Sequence, residues 1–498
     1  MVNIASITRT CGLKTADLMS RADVAARVVA ALAASIALVG CTTPIVKSSV
    51  EVPSQFASTQ AATSEPEVAW WESFGDPVLS DLIRRAAREN RDVKIAAQRV
   101  RAARAGETIS RSWLWPSVGI GAGAGDSRSG YSDPIKHAVP PAADLKSVHG
   151  NLDVAWEVDI TGRLRAGAAA AAADTMAAEY GERGVRLLVM TDVATNYFIL
   201  VGALRQLETV RGISAAHDET LRLVTARQRV GLATAFDIDR AQTDASSAQA
   251  AIPPLETLVA VSRHRIAVLM GDQAFNAATI VPSNGTFIAP VAKSGQPAAL
   301  LERRPDLLAA RAELDAANAR RQQAATEWFP RLFLGATYGR ERLEPNGISI
   351  GAARYSNVAG LLAMPLFNAG RTQAINETAE AGQSEAVVRY ENAIVRALED
   401  VENSLVALRD ERQRAKALQN ASDSAEAALG RSQSLYNRGQ IDLLPLLDAQ
   451  RARLAMRVSA NDSNTQLLLD TVQLYKALGG GWQDFEPAAA SAARSPNS

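Results

Sequence analysis

The chain has 498 residues, 53 basic and 53 acidic side chains, and 47% hydrophobic but only 5% aromatic residues. Zero net charge lacks the clustered basic excess of a nucleic-acid footprint, and apolar content rich in alanine favours long, closely packed helices over an aromatic core. The only cysteines, Cys11 and Cys41, lie at the N-terminal end, and His137, His149, His217 and His264 are scattered. The body therefore offers no disulfide framework, metal-ligand spacing, nucleophile–base set or phosphate loop, so neither cofactor nor enzyme activity is expected.

Taken in chain order, the first feature is a leader. Arg21 and Arg27 precede the apolar run Val28–Val39, which ends in Leu38-Val39-Gly40-Cys41. Basic, apolar and small residues in that order describe a secretory signal over residues 1–40, with translation starting at Met1 or Met19. Its ending resembles a bacterial lipobox, which implies lipidation of Cys41. Thr42 in place of Asp implies export to the outer membrane. Residues 41–65 are Ser/Thr/Pro-rich and read as an extended, acylated tether. No later stretch is apolar for the ~18 uninterrupted residues of a membrane-spanning helix.

The remainder repeats. At an offset of 214, Asp92 matches Asp306, Pro116 matches Pro330 and Gly125 matches Gly339. At an offset of 208, Gly162-Arg163 match Gly370-Arg371, Gly231 matches Gly439, and Gly271 matches Gly479. Copy one covers 66–271 and copy two 272–483, before a disordered tail over 484–498. Each copy orders its parts alike: a helix (about 77–112, and 305–327), two strands, a Gly-Arg pair, then a helix of about 65 residues from Arg163 and again from Arg371. At a 1.5 Å rise, that is on the order of 100 Å, a length that calls for coiled-coil neighbours. A glycine turn and a return helix complete each copy.

The strands are expected at about 116–125, 151–161, 330–339 and 356–367. Leu152, Val154, Trp156, Val158 and Ile160 alternate with Asp153, Ala155, Glu157 and Asp159, so an apolar outside opposes an acidic inside, as in a transmembrane barrel. Val118, Ile120, Ala122 and Ala124 alternate with Gly119, Gly121, Gly123 and Gly125, one face of a strand rather than a dinucleotide loop. Leu332, Leu334, Ala336 and Tyr338 share a face, as do Val358, Gly360, Leu362, Met364 and Leu366. Four strands cannot close a barrel and lipid tolerates no open edge, so several protomers must share one. Three would supply twelve strands and a water-filled lumen.

These features converge on a family. Trp70-Trp71 with Phe74-Gly75-Asp76-Pro77, Trp156-Glu157-Val158-Asp159 through Gly162-Arg163, and Glu302-Arg303-Arg304-Pro305-Asp306 resemble the TolC-like outer-membrane efflux proteins, specifically the OprM/NodT lipoprotein subgroup. Phe329-Pro330, Pro365-Leu366-Phe367-Asn368-Ala369-Gly370 and Tyr475-Lys476-Ala477-Leu478-Gly479-Gly480-Gly481-Trp482 extend the likeness across roughly 66–483. The resemblance implies a mainly α fold: a long α-helical tunnel plus four strands per protomer, closing a 12-stranded barrel in a homotrimer. It also implies a periplasmic membrane-fusion adaptor and an inner-membrane RND-type pump as partners, with outer-membrane lipid around the barrel.

The family closes its tunnel at the periplasmic tip. There the resemblance assigns Asp448 to a carboxylate ring, braced by Tyr436 and Asp237. It assigns the turns at Gly231-Leu232 and Gly439-Gln440 to adaptor docking. Pro445 stands where the TolC type has a second acidic residue, and Ile441 where it has a latch arginine. An exit duct for protein secretion and a pore-free periplasmic coiled-coil lipoprotein remain as alternatives. Against the latter, a sealed sheet would not bury Asp153, Glu157 and Asp159 unpaired.

Overall fold

The computed structural model describes residues 44–57, 67–127, 145–273, 282, 289–290, 295–345, 348–349 and 351–485. The expected signal, Cys41 and the tail beyond Phe485 lie outside the described residues. One unit takes Ala105–Ala173, Leu314–Ala386 and the chain up to Lys47, and a second takes Ser48–Arg104, Asp174–Glu313 and Val387–Ser498.

The first unit is built on an antiparallel meander of β1 (Ser117–Ser127), β2 (Leu145–Val158), β3 (Arg331–Pro345) and β4 (Ala352–Ala363), paired in that order. Its register sets the expected faces. Val118, Val154, Ala336 and Val358 form one row, and Gly119, Asp153, Thr337 and Asn357 the adjacent row on the other face. On the apolar face Val118, Ile120, Leu152 and Val358 are solvent-exposed within the protomer, Ile120 by 89%. On the polar face Thr337 donates to Asp153 at 2.8 Å. The β1 glycines make room there, since a Cβ on Gly123 would lie 2.6 Å from the His149 ring.

The strand limits differ from expectation for identifiable reasons. β2 begins six residues earlier, at Leu145, and stops at Val158. Asp159 is not a strand residue: its two oxygens accept the Leu164 and Arg165 amides at 3.1 and 2.9 Å, filling orphan donors of the next helix. Glu157 is not an unpaired acid either, because Arg163 binds both its oxygens at 2.8 Å. β4 stops at Ala363, leaving Met364 and Leu366 outside it, since Pro365 has no amide to donate to a ladder. β3 runs on to Pro345, six residues past its expected end.

Among the described residues, eight helices longer than one turn complete the frame, beside the short Leu300–Arg303: α1 (Pro77–Glu89), α2 (Arg91–Ser112), α3 (Arg163–Arg229), α4 (Ala235–Ala250), α5 (Ile252–Leu269), α6 (Pro305–Ala325), α7 (Arg371–Asn437) and α8 (Leu443–Ala477). α3 and α7 are each 67 residues, about 100 Å of helix. Their equal length at repeat-related positions is the internal duplication made visible. The single first helix expected over 77–112 is two, because Asn90 leaves helical geometry and its side-chain Oδ1 accepts the Asp92 and Val93 amides. The first return helix also breaks, at Ala251, just before Pro253-Pro254 removes two amide donors. A stretch of α3 reaches a mean hydropathy of 1.7, but two-thirds of it is buried in protein, so it is core.

The second unit gathers the separated motifs into one aromatic core. Trp70, Trp71, Tyr197, Phe198 and Trp482 are fully buried. Trp70 stacks on Tyr475 with centroids 5.3 Å apart. Burying each such ring contributes about 3 kcal/mol, before any geometric bonus. Asp76 caps α1 through the Val78 amide at 2.8 Å and also accepts the Tyr197 hydroxyl. Arg304 donates to Ala477 O at 3.1 Å and pairs with Asp306 and Asp400, while the Trp482 indole donates to Arg303 O. A Cβ at Gly481 would meet the Trp70 indole at 2.9 Å, and its φ of 114° also demands glycine.

The ordered body extends further at both ends than composition indicates. Phe485 packs on Trp71 at 5.9 Å, inside what read as a disordered tail. Part of the tether is laid against helices. Within the first unit Pro44 O and Val46 O accept from Gln383 and Asn318. Within the second, Ser49 donates twice to Glu391 at 2.9 Å, and Phe56 is buried.

Candidate functional site

Two turns close the helical hairpins, and both end α-helices in the same way. Gly231 (φ 76°) donates to Gln228 O, and Leu232 reaches back to Arg227 O at 2.9 Å. Gly439 (φ 70°) donates to Tyr436 O, and Gln440 reaches back to Leu435 O at 2.9 Å. This pattern satisfies the last helical carbonyls and needs a left-handed residue at its centre. Around the first turn Val230, Leu232 and Phe236 are 65–75% exposed, an apolar tip within the protomer.

Behind the turns lies a small core of Val224, Ala241, Tyr436, Leu443, Leu446 and Leu447. Tyr436 is almost wholly buried, and the Arg227 guanidinium sits 4.1 Å over its ring while also donating to its carbonyl oxygen at 3.3 Å. Asp237 serves elsewhere, forming a capping box with Thr234. Its carboxylate accepts the Thr234 amide at 2.9 Å and hydroxyl at 2.8 Å, and Thr234 Oγ1 accepts the Asp237 amide. The Thr234 amide, followed by its hydroxyl, holds the Asp237 carboxyl below the usual range. Tyr436 and Asp237 thus brace different helices, and no hydrogen bond joins them among the described residues.

Above this core is a polar layer of which the sequence singled out only Asp448. Asp448 projects 61% exposed, 3.6 Å from Arg451 one turn later on α8. Arg451 reaches across to α4, donating from Nε to Asp244 at 2.9 Å, where Asp244 is only 10% exposed. That hydrogen bond, the largest influence, keeps the guanidinium pKa above its ordinary value. Gln450 donates to Thr220 of α3 at 2.9 Å in full burial. Buried His217 has its pKa lowered, chiefly by desolvation and further by Arg451, against the opposing pull of Asp244 and Asp218. The Asp448–Arg451 spacing was legible as an i,i+3 pair on a helix. Asp244 carried no signal, because its partner lies 207 positions away.

The layout is that of a membrane channel protomer: a short sheet with an exposed apolar face and an incomplete barrel edge, and long paired helices ending in matched turns. A family model described as outer membrane efflux protein matches residues 82–272 and 297–480, the two halves of the repeat. The chain belongs to the outer membrane efflux protein family. It is 31% identical over 459 residues to the pyoverdine export outer membrane protein OpmQ of Pseudomonas aeruginosa, covering 89% of this chain and 94% of that one. To the probable outer membrane lipoprotein SilC of Salmonella typhimurium it is 28% identical, covering 86% and 93%. The solved outer-membrane channel OprN superposes with a TM-score of 0.80 at 27% identity, over 89% of this chain and all of that one. The protein is accordingly an outer-membrane component of an efflux system, and the family consists of channel proteins rather than enzymes.

Proposed function

We propose that three copies of the chain close a 12-stranded barrel and a helical tunnel, forming the exit channel of a tripartite pump whose inner-membrane member is of RND type. The observation that carries this is the half-open sheet: β1 and β4 are both edges, and lipid forbids unpaired edges. The paired turns at Gly231-Leu232 and Gly439-Gln440 are the docking points for the adaptor, supported by the exposed Leu232 beside them. Asp448 lines the constriction, with Tyr436 and Asp237 bracing the neighbouring helices α7 and α4. Cys41 carries the lipid anchor.

Relatives named for pyoverdine export and for toluene efflux support a small-molecule cargo. The decisive experiment combines mass analysis of the purified trimer with conductance in planar bilayers and co-purification with the adaptor. A trimer that conducts, binds adaptor and starts at acylated Cys41 is expected. A monomer without conductance would overturn the channel reading, an unmodified Cys41 the anchor, and loss of an exported protein rather than of drug efflux upon gene deletion the small-molecule cargo.

A further inference from the structure

The antiparallel register sorts the outward face of the sheet into rows, and those rows change character abruptly. Val118–Val154–Ala336–Val358 and Ile120–Leu152–Tyr338–Ser356 lie toward the helices. The next row toward the hairpin ends is Ala122–Gly150–Arg340–Arg354, and the one after it Ala124–Val148–Arg342–Ala352. Arg340 and Arg354 stand directly opposite one another on neighbouring strands, where Cβ atoms are about 5 Å apart and like charges destabilise the pair. Arg342 lies two residues on, about 7 Å along the strand.

No carboxylate shares either row. All three arginines are exposed, and none makes an ion pair among the described residues. Their row-mates are glycine, alanine and valine, too short to screen them. The row beyond, Asp126–Lys146–Glu344, carries mixed charge with Lys146 between its two acids. It edges a groove of about 420 Å³ that Arg342, Val148 and Ala124 also line.

Height along the barrel identifies what meets this cluster. From Val158 to Gly150 is eight residues of β2, about 26 Å of strand and roughly 20 Å of height at a 40° tilt. Exposed Leu366 and Phe367 extend the apolar surface beyond the helix-proximal end of β4, bringing it near the ~25 Å of a lipid belt. Tyr338, 58% exposed, sits one row below the arginines, where an interfacial aromatic belongs. The arginines therefore stand on the upper rim of the belt, at headgroup depth, on the side away from the helices.

We infer that Arg340, Arg342 and Arg354 form a binding site for the phosphate groups of an anionic glycolipid of the outer leaflet. Arginine pairs with phosphate in a planar, bidentate fork, and an anion between Arg340 and Arg354 turns a repulsive cross-strand pair into a bridged one. A lipid on the opposite leaflet cannot reach this height. The inference rests on the sheet lying in the outer membrane and adds a ligand to it.

The test uses the full trimer, delipidated in detergent and titrated with purified bis-phosphorylated lipid A under native mass spectrometry. Binding at least tenfold tighter than to the dephosphorylated lipid is expected. The triple variant Arg340→Gln, Arg342→Gln, Arg354→Gln should lose that tenfold, while the charge control Arg165→Gln, 67% exposed at the start of α3, keeps it. If the triple variant does not assemble, Arg354→Gln alone should weaken binding at least threefold. Equal binding of the dephosphorylated lipid, of phosphatidylglycerol, or by the variants would overturn the inference, as would complete displacement by millimolar inorganic phosphate. Conductance in glycolipid-free phosphatidylethanolamine bilayers is read separately, so a failed lipid site with an intact channel sinks this inference alone.

Discussion

Replacing Arg451 by methionine isolates one cross-helix tie, one helical turn from the proposed constriction residue Asp448. The substitution keeps the aliphatic stem and removes the only hydrogen-bond donor to Asp244 among the described residues, where its other oxygen is already buried without a partner. Stripping one member from a fully buried pair costs about 3–5 kcal/mol. Here the arginine is 44% exposed, and solvent screening reduces the cost to about 1–2 kcal/mol. Every 1.4 kcal/mol is tenfold, so a state with α4 and α8 untied should gain population by roughly five- to thirtyfold. Single-channel recording of reconstituted trimers should then show more frequent resting openings, with barrel assembly intact. Asp244→Asn in the Arg451→Met background removes the stranded charge and should restore much of the quiet state. If Arg451→Met behaves as the parent, or if the double variant is no quieter than the single, the tie contributes nothing to closure and the reasoning fails.

Three further outcomes are expected. In Gly231→Val and Gly439→Val the added Cβ meets no atom within 4 Å beyond the adjacent residues, so backbone strain at φ 76° and 70° is the main obstacle. It costs about 1–2 kcal/mol each, and drug export should be lost while trimers persist on gels; full export with both replaced would remove the docking assignment. Asp448→Ala should lower cation preference and widen the constriction, as carboxylate rings set selectivity in pores; unchanged ion selectivity places the constriction elsewhere. His217 is held neutral by burial, below the ordinary value of 6.5. An unfolded chain takes up its proton first, so the His217 contribution to stability is complete above that value and declines as pH falls toward the lowered one. The thermal midpoint of the parent should therefore drop more steeply below pH 6.5 than that of His217→Gln, and parallel curves would contradict this.

Much of the architecture was legible in the amino acids because it rests on period and repetition. Alternation over Leu152–Val158 follows from the two-residue period of a strand, and the 208-residue offset locates both 67-residue helices and both glycine turns. Strand limits were less legible, since Asp159 alternates correctly yet is claimed by helix amides. Composition indicates only an extended tether because Ser, Thr and Pro bury little; its hydrogen bonds to Glu391 and Asn318, far away in the chain, come from the fold. Around the tip, the internal repeat located the turns, whereas only the fold brought Asp244 to Arg451, Thr220 to Gln450 and Arg227 over Tyr436. The arginine cluster is of the same kind: Arg340 and Arg354 become neighbours through the pairing of β3 with β4. Periodicity is a property of consecutive residues and survives in one dimension. A charge's partner is set by distance in space, which the chain acquires only when its helices and strands pack.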